Sequence, residues 1–161
     1  PPEYQEFASR LVWQVMDKLG GWMRGQLILG IIIGTLYFIA FWAIGVPYAL
    51  LLALLGGLLE FIPYIGPFIA AVPAVILGFS VSPTHAIGAL VATVVIQRLE
   101  NDVIVPKVMQ KTVGLNPIIS LIAFMVGAKL FNVVGAIFAI PVATAISVVI
   151  TEVMHFQKSP K

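Results

Sequence analysis

The chain has 161 residues, of which 60% are hydrophobic and only 10% charged, with a net charge of +2. An ordinary soluble domain carries about 25% charged residues, so this composition excludes a soluble globular surface. It equally excludes disorder, which needs low hydrophobicity and high charge. No cysteine is present, which excludes disulfides, thiolate metal sites and thiol nucleophiles.

The few charges are bunched. None occurs from Gln26 to Leu59, from Phe61 to Gln97, from Thr112 to Ala128, or from Leu130 to Thr151. About 20 apolar residues in a helix cross a bilayer, and the runs do not alternate as membrane β-strands do. The predicted fold is therefore all-α. It is a polytopic helical membrane protein with Pro/Gly-broken and re-entrant helices, preceded by one amphipathic helix, and its first partner is the lipid bilayer. Three regions follow: residues 1–21 as the amphipathic helix ending a polar region, 22–155 as a transmembrane domain of five or six segments, and 156–161 as a polar tail. The chain starts Pro1-Pro2-Glu3, without Met, and reads as a fragment.

In chain order, Phe7, Leu11, Val15 and Leu19 recur every four residues, with Arg10, Gln14, Asp17 and Lys18 opposite. That is an amphipathic helix, expected to end at Gly20-Gly21. The run from 26 to 59 would extend about 51 Å as one helix, too long for one span. Gly45 and Pro47 divide it into spans of about 26–44 and 48–61. Gly30 and Gly34 form a small-xxx-small pair. Pro63, Gly66 and Pro67, with Tyr64 between them, break the backbone at membrane depth. The carbonyls freed there need protein or a wet cavity. A helix of about 68–80 with a kink at Pro73 follows, then a turn, then a helix of about 84–99 beginning beside Pro83. Residues 98–111 carry five of the sixteen charges and read as an aqueous connection bending at Pro106. Pro117 starts a segment too short to span, either a re-entrant half-helix or one arm of a tight hairpin. The last helix runs from about 132 to 154, kinked at Pro141. If every segment crosses, eight of the nine Lys and Arg lie on the cytoplasmic side and only Lys129 outside. The basic balance thus belongs to cytoplasmic loops, and no nucleic acid partner is expected.

Glu60 lies between Leu58-Leu59 and Phe61-Ile62 and abuts the Pro63–Pro67 break. A carboxylate at that depth is costly and faces a cavity or a partner. It is a proton or cation site or a gate, or it is a helix-end carboxylate capping free N–H groups. Arg98, Glu100, Asn101 and Asp102 form a second cluster, either a site or a solvated loop with an Arg98–Asp102 pair. Lys129 either snorkels to the headgroups or meets an anion. His85 and His155 are too far apart in sequence for a His-based zinc site. No phosphate-binding, dinucleotide or hydrolase motif occurs, so no metal, no cofactor and no enzyme activity are expected.

Four ordered motifs resemble one family. Glu60-Phe61-Ile62-Pro63-Tyr64-Ile65-Gly66-Pro67 is similar to the Glu-x-Ile-Pro-Tyr-x-Gly-Pro signature of the autoinducer-2 exporter family. Trp22 to Gln26 with Gly45 to Ala49, Gln97 to Lys107, and Val113 to Pro117 with Gly127 to Gly135 and Pro141 match further family segments in order. Asn116 and Asn132 depart from the family's frequent His and Gly. Members are about twice this length, so the chain resembles the C-terminal half.

The resemblance implies a multi-pass permease of the cell inner membrane, working as a homo-oligomer. It would export a small solute, or exchange Na+ or Li+ for H+. The transport or gating candidates it gives are Glu60, Pro63, Tyr64, Gly66, Pro67, Gln97, Glu100, Asn101 and Lys129. The hinges are Gly45, Pro47, Pro73, Pro106, Pro117, Gly127, Gly135 and Pro141. The alternative is a non-transporting membrane scaffold, with Gly30, Gly34 and the first helix making oligomer contacts.

Overall fold

The computed structural model describes residues 2–62, 65–109 and 117–158. These are mostly helical, with no strand among the described residues. The helices are α1 (Pro2–Ile44), α2 (Ala49–Leu59), α3 (Gly66–Val81), α4 (Pro83–Leu99), a π-helical turn (Glu100–Ile104) and α5 (Val105–Met109). The last helical stretch, Pro117–Lys158, is bent at Phe131 and at Asn132, whose φ of 53° and ψ of −136° are not helical. It is therefore two arms, α6 (117–130) and α7 (133–158). Phe7–Ile44 and Ile118–Met154 are long and apolar enough to cross a bilayer, though the second stretch is folded at 131–132. The chain forms two compact units, one of residues 1–24 with 111–161 and one of residues 25–110.

One expectation fails at the start. Gly20-Gly21 does not end the first helix, and the amphipathic segment is the opening of the 43-residue α1. A mid-helix glycine costs only about 1 kcal/mol relative to alanine, and no proline breaks the hydrogen-bond ladder there. Arg24 Nε also donates to the Gly20 carbonyl at 3.2 Å, one turn back. Gly20→Ala should thus raise stability by about 0.5–1 kcal/mol, since the new Cβ meets nothing closer than the Arg24 guanidinium at 3.7 Å. Thermal unfolding in detergent checks this, and a loss of stability would restore the expected break.

In the unit of residues 25–110, α1 turns large residues inward, from Leu29 to Phe41, whereas α2, α3 and α4 turn mainly small ones inward and large ones outward. Leu50, Leu54, Leu58, Phe68, Ile76 and Phe79 are exposed, while Ala53, Ala70, Ala74, Ala86 and Ala89 are buried. A soluble core is built the other way round. In lipid the outer face is already in apolar solvent, so helices associate by close packing, which small residues permit. Gly30 and Gly34 do this within the chain. A Cβ on Gly30 would sit 2.7 Å from the Gly57 carbonyl oxygen, and one on Gly34 would sit 3.2 Å from that of Ala53. The small-xxx-small face is thus occupied by α2 and does not supply the oligomer contact expected of it.

The turns follow their residues. Gly45, at φ 86°, closes α1, with its N–H and that of Val46 donating to the Phe41 carbonyl. Glycine adopts that left-handed conformation without a Cβ penalty. Pro47 then lies in the turn, and Tyr48 precedes α2 at φ 58°. Gly66 and Pro67 open α3, and Pro73 sits inside it. Ser82 caps α4 by accepting from the His85 N–H, with Pro83 in the first turn. His85 Nδ1 also lies 2.7 Å from Ser82 Oγ.

In the unit holding α6 and α7, the expected tight hairpin is present. A Cβ on Gly135 would collide with the Gly127 carbonyl and one on Gly127 with that of Gly135, so the two backbones touch. Lys129 is exposed near the bend. α7 passes through Pro141 with helical dihedrals, and the non-helical bend of this stretch is at Phe131–Asn132. Asn132 is among the residue types that tolerate positive φ best after glycine.

Candidate functional site

The inward faces of three helices each carry a polar residue in register. On α1 the buried stripe Leu29, Ile33, Tyr37 and Phe41 begins with Gln26, one turn earlier. On α2 the buried face of Leu52 and Gly56 continues to Glu60. On α4 the stripe Ala86, Ala89, Thr93 and Ile96 continues to Glu100. Helical spacing of three and four residues therefore turns all of these groups inward. Gln26, Glu60 and Glu100 are each only 5% exposed and Tyr37 1%.

Glu60 and Glu100 stand at discontinuities. Glu60 ends α2, after which the chain continues through short turns, with Phe61 N–H donating to Leu58 and Ile62 N–H to Leu59. Glu100 opens the π-helical turn that follows α4. Irregular backbone frees carbonyls, which in a membrane need partners from protein. One is supplied: Gln26 Nε2 donates to the Glu60 backbone carbonyl.

The side chains form a connected set. Gln97 Nε2 donates to Glu100 Oε2 at 3.0 Å. The carboxyls of Glu60 and Glu100 are close enough to act on one another. One carboxyl donates to another only when it carries a proton. With both ionised, the two repel unless a cation lies between them. Three buried oxygens, Tyr37 OH, Glu60 Oε1 and Gln97 Oε1, have no hydrogen-bond partner among the described residues. Polar atoms left open in an apolar interior are rare and mark a place where a further group can be received. No cluster of three or more His, Asp or Glu suited to a metal ion occurs among the described residues.

The sequence-derived candidates fall into groups. Glu60, Gln97 and Glu100 come together. Gly66 and Pro67 are buried at the start of α3, while Asn101 is exposed on the π-turn. Arg98 and Asp102 are also exposed, so the aqueous reading of 98–111 suits them and fails for Glu100. Lys129 belongs to the other compact unit. Pro63 and Tyr64 lie outside the described residues. Pro106 lies within α5, and Pro117 opens α6. Tyr37 and Gln26 were not among the candidates. Their signal was present as the only polar-tipped positions on the α1 stripe.

Comparison with known proteins agrees with the motifs. The model of the AI-2E family transporters matches residues 1–155. The candidate transport protein YrrI of Bacillus subtilis is 31% identical over 97% of this chain and 43% of its own length. YueF of the same organism is 32% identical over 98% of this chain, again 43% of its own length. A candidate transport protein of Thermotoga maritima is 31% identical over 88% of the chain. The chain thus spans less than half the length of these relatives. No solved structure matches it. With the match extending over all but the last residues, the chain belongs to the AI-2E transporter family.

Proposed function

We propose that the chain forms part of the translocation pathway of a secondary transporter, with the Glu60–Glu100 pair as its proton- or cation-exchanging centre. One observation carries this: two carboxyls that act on one another are buried inside an apolar helix packing, at the ends of two helices that both lose regular structure there. Intramembrane acids at broken helices serve as ion and proton sites in transporters. A proton and a monovalent cation are alternative ways to relieve the same repulsion, which makes exchange of one for the other the natural chemistry. Export of a small solute driven by the same proton site is the companion form of this reading. The resemblance supports a multi-pass homo-oligomer in the cell inner membrane.

The scaffold alternative loses one of the two surfaces it relied on, since Gly30 and Gly34 pack on α2. The test is reconstitution in proteoliposomes with an imposed pH gradient and an internal pH dye. Addition of Na+ or Li+ is expected to collapse the gradient. Indifference to both ions would remove the antiport form, and indifference to candidate solutes as well would remove the transport reading.

A further inference from the structure

Tyr37 stands where phenylalanine would pack equally well. Its ring is held on one side by Gly56, where a Cβ would lie 2.7 Å from Cδ2. On the other side it stacks on Phe41, with ring centroids 5.3 Å apart and an interplanar angle of 18°. The residue is 1% exposed, and its hydroxyl has no partner. A buried hydroxyl left open lowers stability, so this one opposes folding as it stands. Gly56, against which the ring packs, stands one turn before Glu60 on α2.

The chemistry of the open atoms is one-sided. Glu60 Oε1 in its ionised form and Gln97 Oε1 only accept, and a phenol oxygen accepts as well as donates. What completes such a set is electropositive. We propose that Tyr37 is a specificity-determining residue of the Glu60–Glu100 site, its hydroxyl oxygen serving as a neutral ligand to a small dehydrated monovalent cation that replaces the pair's shared proton. This rests on the transport reading for its physiological meaning, but its test does not require transport. On cation arrival one proton leaves to water and one positive charge takes its place, so the site's net charge is conserved. Gly56 and Phe41 act here by fixing the ring, which places the oxygen without conformational search.

The experiment is thermal unfolding of the whole chain in detergent, titrated with NaCl or LiCl against choline chloride at constant ionic strength, for wild type and Tyr37→Phe. Ligand that binds only the folded state raises the melting temperature in proportion to its affinity. Without Na+ or Li+, Tyr37→Phe is expected to be as stable as wild type or more so. Its apparent Kd for the cation is expected to rise about tenfold. Infrared difference spectra add a readout that a packing role leaves still. The protonated-carboxyl C=O band, lost in Glu60→Gln, is expected to shift in Tyr37→Phe. An unchanged Kd, an unshifted band, or a loss of stability without cation would each overturn the proposal. Cation binding by wild type without any flux would instead count against the transport reading alone.

Discussion

Glu60→Gln is expected to abolish cation-coupled proton movement in proteoliposomes, and Glu100→Gln to do the same, with the double variant no worse than either. The physical reason is that, in the proposed function, the two neighbouring buried carboxyls share one proton and act as one centre. Removing either acid removes the exchange. The loss expected of each single variant is on the order of 100-fold, the scale on which a positioned proton-transfer group acts. Independent sites would multiply their losses, whereas residues acting as a unit do not. An introduced amide keeps the shape of the acid and still hydrogen-bonds to the remaining carboxyl, so folding should survive. Equal melting temperatures and unchanged circular dichroism of the variants would establish that. Wild-type flux in either single variant, or a double variant about 100-fold worse than each, would show that the carboxyls do not act together.

The position of the pair also explains why it sits where it does. A carboxyl within a regular apolar helix has no backbone group to offer it a hydrogen bond. At the end of α2 and at the π-turn after α4, the ladder is interrupted. There the backbone can rearrange when the charge of the site changes. π-turns inside helical segments recur at functional sites for the same reason. Gln26, reaching from α1 to the Glu60 carbonyl, ties one of these interruptions to a regular helix.

Much of this was legible in the residues, and what was hidden had physical causes. Glu60 stood out because 35 uncharged residues precede it and 37 follow it. The break at Gly45–Pro47 was equally plain, since proline and a left-handed glycine have few other uses. Glu100 was obscured by its neighbours. Arg98 and Asp102 make the segment look solvated, and only the stripe Ala86, Ala89, Thr93, Ile96 shows which face turns inward. Charge density is averaged over all faces of a helix, while burial is decided by one face. Tyr37 was hidden for the opposite reason. Among so many apolar residues a tyrosine reads as packing, and nothing local reveals that its hydroxyl lacks a partner. Gly20-Gly21 misled because two glycines look like a stop, yet without a proline their cost is small beside the continuity of a 43-residue helix. The bend at Phe131–Asn132 was legible only in outline, from the short apolar segment before Lys129 and a last helix starting near 132. It follows from the contact of Gly127 with Gly135, eight residues apart, which no local propensity encodes.

That contact makes the second large effect predictable. Gly135→Val is expected to lower stability by more than about 4 kcal/mol, or to leave no folded protein in the membrane. The new side chain would be driven into the Gly127 backbone carbonyl, which cannot swing aside as a side chain does. The consequence reaches beyond a local clash. At 14 residues, α6 (117–130) is about 21 Å long, short of a hydrocarbon core about 30 Å thick. It cannot stand as a span by itself and depends on α7 for its place. For a chain of this size the loss corresponds to a fall in melting temperature of about 10–15 °C. Val134→Leu is the control, one residue away at a position 62% exposed, and it should change stability by less than about 0.5 kcal/mol. If both variants unfold like wild type, residues 117–158 form a straight helix. Gly127 and Gly135 would then stand about 12 Å apart along its axis, and the hairpin would not exist.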